Sequence, residues 1–319
     1  MLKHHLNSIR EPILKAYLHI GMPFSILPVK YEENGWMYNT YIQLIYNNEN
    51  PDDKFMDFTQ QRFWEDYGIF TKIFIDFPSS KRSERLKILE ELKFLLSRGY
   101  YIWGEWNEYY IPGSPAYGRF FFSHYFLAYG FNEDEIFVEG YLDDNHWHRF
   151  SVSNEIFINS LIPNVERDKN ELIGVNGYRP QELERFQFEI ETVTSQIQDY
   201  LDSKGENQDT FYGRTAINSF IKDLKESITV GGNYPIQSVY VIYEHKLMML
   251  HRLEFMKKHN YCSENAVRRY LKVERAFYSV ICCCIKFNTT GAVKLGEQIL
   301  EKANEAMYLE DEILSEIFC

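Results

Sequence analysis

Gly99–Tyr141 reads GYYIWGEWNEYYIPGSPAYGRFFFSHYFLAYGFNEDEIFVEGY. Three runs in it, Tyr100–Trp106, Phe120–Tyr129 and Glu135–Tyr141, are rich in aromatic and β-branched residues. Such side chains suit a pleated, half-buried surface, so each run predicts a strand. Gly130–Asp134 is short and made of turn residues, which predicts an antiparallel hairpin from the last two strands. The loop at 111–118, punctuated by Pro and Gly, separates the first strand from the second.

Working outward, Lys72–Phe77 alternates apolar and polar residues as a strand does. Ser83–Ser97 places Leu86, Leu89, Leu92, Phe94, Leu95 and Leu96 on the apolar side of an amphipathic helix, and Gly99 stops it. Met37–Tyr46 has apolar residues at helical spacing and predicts another helix, as does Ser153–Leu161. Asn164–Tyr178 is polar and contains glycine, so it reads as a linker. Beyond it the texture is helical, over Pro180–Ser203, Arg214–Lys225, Tyr234–His259, Glu264–Phe287 and Thr290–Phe318. The expected organisation is an α+β protein: a domain with an antiparallel sheet over 1–165, then a helical bundle over 175–319.

Composition narrows the function. The 319 residues carry 46 acidic and 34 basic side chains, a formal net charge of −12. A surface of that sign repels phosphate backbones, so no nucleic-acid partner is expected, and a cationic or amine substrate is favoured. The cysteines are Cys262, Cys282, Cys283, Cys284 and Cys319, an odd number with no CxxC spacing. They form neither a disulfide framework nor a zinc site. No phosphate-binding glycine loop, zincin helix or EF-hand loop occurs, so no metal and no cofactor is expected. The opening MLKHHLNSIREPILKAYLHIG has charges throughout and no secretory core, and no apolar run is long enough to span a bilayer. The expectation is a cytoplasmic protein with no membrane partner.

His124 stands alone among the aromatic and apolar residues of its strand. A histidine there costs desolvation unless a neighbour hydrogen-bonds it, and a satisfied structural histidine is the commoner outcome. Glu105 and Glu108 lie three apart beside aromatic residues, and on one continuous strand they would face opposite sides. Glu244, His245, Lys246, His251, Arg252 and Glu254 crowd Tyr243–Met256, which reads as a salt-bridge network at the surface between the domains.

The run Glu108-Tyr109-Tyr110-Ile111-Pro112, then His124 on a strand, then Gly130-Phe131-Asn132 and a further strand, resembles the N-terminal domain of the butirosin-biosynthesis protein H family. That domain is similar to the bacteriocin-processing branch of the papain-like peptidases. Phe211-Tyr212-Gly213-Arg214-Thr215-Ala216-Ile217 resembles the glycine-containing helix start of the family's C-terminal region. Tyr243-Glu244-His245-Lys246 with His251-Arg252-Leu253 resembles its long Glu/Arg helix.

The resemblance implies a papain-like site for acyl transfer from a carrier protein to an amine. There a cysteine attacks the acyl carbonyl, a histidine takes its proton and an acidic group orients the histidine. By resemblance the histidine role falls on His124 and the orienting role at or beside Glu139. The nucleophile position falls near Gly35-Trp36-Met37-Tyr38-Asn39, where this chain has no cysteine and no serine, and Thr40 lies one turn late. Trp36, Asn39, Glu108, Tyr109 and Tyr110 are the substrate-binding candidates, and an acyl- or peptidyl-carrier protein or a peptide is the implied partner. With no thiol in place, two functions stay open. One is acyl or peptidyl transfer in natural-product biosynthesis with His124 as base or binding residue. The other is an inert binding protein that recruits a carrier domain or peptide.

Overall fold

The structure is a computed structural model and describes residues 4–47, 54–59, 68–77, 82–142, 147–161, 174–181, 186–205, 210–230 and 236–318. It is α+β. Two compact units are present: unit 1 comprises Met1–Pro28 and Trp64–Leu183, unit 2 comprises Val29–Phe63 and Glu184–Cys319. Relative to domains over 1–165 and 175–319, residues 29–63 thus fall in unit 2 and residues 166–183 in unit 1.

The described residues form ten strands: β1 (His5–Leu6), β2 (Leu44–Asn47), β3 (Phe55–Phe58), β4 (Phe70–Asp76), β5 (Tyr101–Asn107), β6 (Ser123–Phe131), β7 (Glu135–Tyr141), β8 (Trp147–Ser153), β9 (Gly174–Pro180) and β10 (Phe211–Tyr212). Unit 1 is built on a sheet in the order β4-β9-β5-β6-β7-β8, with β1 paired to β6. Every pairing is antiparallel.

Strand alternation sorts the sheet's side chains into two layers. Ile102, Trp106, Phe126, Ala128, Ile136 and Val138 point to one side. There the helix Arg82–Ser97 adds Leu89, Leu92 and Leu96, and the helix Asn154–Ser160 adds Phe157. The Phe126 ring lies 5.0 Å from that of Trp106 and 5.3 Å from that of Phe157. On the other side Trp103 stacks on Tyr125 at 5.0 Å. The helix Leu18–Ile26 contacts this side, with every residue but His19 buried. It can approach closely because of Gly21, where a Cβ would stand 2.8 Å from the Trp147 ring.

The region expected to be a linker contributes β9, a central strand between β4 and β5. Its sequence, GVNGYRP, hides this, because glycine and proline weaken strands. Gly174 is needed at the β4 contact: a Cβ there would meet the Ile75 carbonyl oxygen at 2.3 Å. Pro180, expected to open a helix, instead ends the strand opposite Phe70, and the helix begins at Ile190.

Unit 2 contains the helices Ile190–Leu201, Gly213–Val230, Ile236–Lys258, Glu264–Thr290 and Val293–Phe318 and a small sheet, β10-β2-β3. The helix expected over Met37–Tyr46 is absent. A single 3-10 turn, Trp36–Asn39, leads instead through Tyr41, whose φ is +57°, into β2. Arg252 explains the break. Its Nε donates to the Tyr38 carbonyl and its Nη2 to the Thr40 carbonyl, both at 2.7 Å. Those acceptors would otherwise serve the next helical turn. Among the described residues, no helix is long and apolar enough to cross a membrane.

Candidate functional site

His124 sits near the start of β6, directly across from Trp106 on β5. β5 ends one residue before Glu108, which begins a 3-10 turn, Glu108–Tyr110. Asn107 caps that turn, its Oδ1 accepting the Tyr109 N–H at 3.0 Å. The Glu108 N–H donates to the Phe122 carbonyl at 2.8 Å, which ties the turn to the strand carrying His124. Glu108 lies two residues beyond Trp106, the residue across from His124, so it falls on the imidazole's face of the sheet, and its carboxylate reaches the ring.

Glu108 Oε1 lies 2.7 Å from His124 Nδ1. The carboxylate accepts, so Nδ1 carries a proton, and in the neutral ring the lone pair is on Nε2. Glu108 Oε2 accepts from the Ser114 hydroxyl at 2.5 Å, and Ser114 Oγ accepts the Ala116 N–H at 3.1 Å. The carboxylate side chain is only 7% exposed and the imidazole 33% exposed. A buried, hydrogen-bonded carboxylate thus holds one nitrogen of a ring whose other nitrogen makes no hydrogen bond among the described residues. Phe122, at 5.8 Å between ring centroids, and Tyr141, at 6.2 Å, flank the ring. The arrangement matches a general base with its orienting acid.

Glu139 is not part of this pair. It lies across from Leu127, three residues beyond His124 and therefore on the opposite face of the sheet. It is fully buried, and its Oε1 accepts from Arg149 Nε at 2.8 Å. Burial raises its pKa against the pull of Arg149, Trp147 and Ser25. The carboxylate in contact with His124 is thus Glu108, expected as a substrate-binding residue, and not Glu139.

Tyr109 and Tyr110 stand together, ring centroids 5.2 Å apart, and Tyr109 rests on Phe121 at 4.9 Å. Trp36 and Asn39 belong to unit 2 and are buried there. Trp36 packs against Tyr31 and Phe186, at 5.2 and 5.4 Å. The Asn39 side chain donates to the Gln187 carbonyl at 2.8 Å and accepts the Glu189 N–H at 2.9 Å. Both side chains are thus engaged in holding unit 2 together. Ser114, Phe122 and Tyr141 were not singled out by sequence reasoning. The Phe-Phe-Phe-Ser-His run, with two-residue alternation, was the signal available for Phe122.

The charged stretch Tyr243–Met256 proves to be internal to unit 2. His245, Lys246 and Arg252 have no exposed surface. Lys246 Nζ donates to Glu310 Oε2 at 2.7 Å and to the Tyr200 hydroxyl at 2.9 Å, and that hydroxyl donates to Glu310 Oε2 at 2.8 Å. Tyr270 donates to Glu310 Oε1. Burial alone would raise the Glu310 pKa, but Lys246, His245 and Arg214 together pull it down to about 2. Burial lowers Lys246 to about 8, with Glu310 opposing. His245, with Nε2 donating to the Ile42 carbonyl at 2.8 Å, is held well below its ordinary value by burial and by Lys246. Every polar atom of Lys246 and Glu310 is committed to this network, which identifies it as structural.

Compared with known proteins, the chain matches no family model and no curated sequence.

Proposed function

We propose that the protein is an acyltransferase that passes an acyl group from a thioester, such as one on a carrier protein, directly to an amine. His124 is the general base and Glu108 its orienting carboxylate. The observation that carries this reading is the 2.7 Å contact between His124 Nδ1 and a buried Glu108 carboxylate, beneath a half-open ring.

The reaction needs no thiol on the protein. None of the residues of unit 1 is a cysteine. The amine nitrogen attacks the thioester carbonyl while Nε2 of His124 accepts the amine proton. The carbon–nitrogen bond forms, the tetrahedral adduct collapses, and the carbon–sulfur bond breaks. The imidazolium then returns its proton to the departing thiolate. Glu108 keeps the hydrogen bond from Nδ1 and stabilises the transient imidazolium, as a buried carboxylate does in a catalytic triad. The net charge of −12 favours a cationic acceptor.

The test is amide formation from an acyl N-acetylcysteamine thioester and a primary diamine, followed by mass spectrometry on the full chain. Wild type is expected to form amide, and His124→Ala to lower the rate by about a hundredfold. An unchanged rate in that variant, or no amide from wild type, removes the assignment.

A further inference from the structure

β4 is an edge of the unit 1 sheet: among the described residues it pairs with β9 alone. Its other side presents backbone N–H and C=O groups of the kind that template a further strand. Proteins keep such edges single with proline, bulges or charged side chains, lysine above all. β4, Phe-Thr-Lys-Ile-Phe-Ile-Asp, has no proline. Its ladder to β9 runs from Phe70 to Asp76 with no shift of register, so it has no bulge. Its one lysine is matched by one aspartate.

The order of those residues indicates what the edge fits. Lys72-Ile73-Phe74-Ile75-Asp76 is symmetric in shape about Phe74, with a cation at one end and an anion at the other. Two such strands, antiparallel about a twofold axis at Phe74, set Phe74 against Phe74 and Ile73 against Ile75. They also set Lys72 against Asp76, twice. An axis at Ile73 would put Phe70 across from Asp76, and an axis at Ile75 would put Phe74 across from Asp76; neither pairs the charges. β8, the other edge of the sheet, has no such symmetry. About its central Phe150 it would set Arg149 against Ser151 and His148 against Val152.

Both faces of β4 agree with a twin strand. Ile75 is buried in the core beneath the helix Arg82–Ser97, and Ile73 packs against that core while only partly buried. On the opposite face Lys72, Phe74 and Asp76 are exposed, Phe74 by 47%. Lys72 Nζ stands 5.6 Å from the Tyr178 ring centroid on β9, which keeps the cation on this face. A second β4 would cover Ile73 and lay one Phe74 against the other, the cross-strand contacts that stabilise a sheet.

We infer that β4 pairs with the β4 of a second copy of this chain, antiparallel about Phe74, joining two sheets into one. This pairing is independent of the acyl-transfer reading.

The experiment is sedimentation equilibrium of the full chain from about 1 to 100 μM, with charge variants at the two exposed positions. Wild type is expected to form a reversible dimer. Lys72→Asp makes both positions acidic and Asp76→Lys makes both basic. Each variant places like charges across the axis twice and is expected to dimerise at least about tenfold more weakly. An equimolar mixture of the two restores opposite charges at both crossings and is expected to dimerise as wild type does. Circular dichroism should match wild type in both variants. A second measurement needs no substitution: hydrogen exchange at the amides of 70–76 in wild type should slow as the dimer forms. Should either variant fail to fold, that measurement decides. A wild type that stays monomeric over the series overturns the inference. So does a dimer that neither variant weakens, a mixture no tighter than the variants alone, or exchange at 70–76 that is the same in monomer and dimer.

Discussion

At the scale of single residues, the site is one carboxylate and one imidazole on the same face of the sheet. His124 was legible as a lone imidazole in an apolar strand. Glu108 was visible too, but its role was hidden, because the register that sets Trp106 across from His124, and so puts Glu108 on the imidazole's face, is a long-range pairing that no local signal gives. The 3-10 turn at Glu108–Tyr110, capped by Asn107, holds the carboxylate beside the imidazole. Glu139 fails because the same parity, read from its partner Leu127, sends it to the other face. Glu108→Gln is therefore expected to lower kcat for amide formation by about a hundredfold with little change in KM. Glu139→Gln should leave kcat near wild type, measured in the same assay. Ser114→Ala removes one hydrogen bond to Glu108 Oε2 and should cost less than Glu108→Gln. Equal losses from Glu139→Gln and Glu108→Gln would argue for a structural effect common to both.

At the scale of elements, the central hairpin could be read directly, since the runs over Gly99–Tyr141 became β5, β6 and β7. The helix Arg82–Ser97 also follows its periodicity. Leu92 has no exposed surface within that helix, and Leu92→Ala should cost about 2–5 kcal/mol in urea unfolding. Two elements escaped sequence reading. β9 is poor in strand formers and is held by neighbours on both sides, which local propensity does not register. Met37–Tyr46 has helical spacing, yet a buried guanidinium more than two hundred residues away in sequence takes its carbonyls. Arg252→Met strands the Tyr38 and Thr40 acceptors in the interior, and the expected loss is about 2–4 kcal/mol. The check is a lower urea midpoint at unchanged slope.

At the scale of the whole molecule, the sequence suggested an α+β part followed by helices. It did not reveal that residues 29–63 leave the first unit for the second. That exchange is fixed by long-range pairing, Tyr46 with Phe211 and Ile45 with Tyr212, which no local signal announces. Unit 2 is locked by the Lys246–Glu310–Tyr200–Tyr270 network, and this gives it an acid limit. Glu310 binds its proton at about 2 in the folded chain, against 4.5 for the ordinary side chain. Below 4.5 the unfolded chain takes up that proton first, so the contribution of Glu310 to stability is full above 4.5 and is lost as pH falls towards 2. Glu310→Gln should flatten that part of the stability curve. It should also destabilise the neutral-pH protein by about 3–5 kcal/mol, because Lys246 stays buried without its counter-charge. Urea unfolding at a series of pH values reads both effects.

The dyad itself can be interrogated without any substrate. Nitrogen-15 NMR of the imidazoles in the full chain, assigned with His124→Ala, reports which ring nitrogen carries the proton when the ring is neutral. Protonated Nδ1 and bare Nε2 on His124, lost in Glu108→Gln and kept in Glu139→Gln, is the expected result. A proton on Nε2 in the wild-type protein would contradict the assignment of His124 as a base held by Glu108.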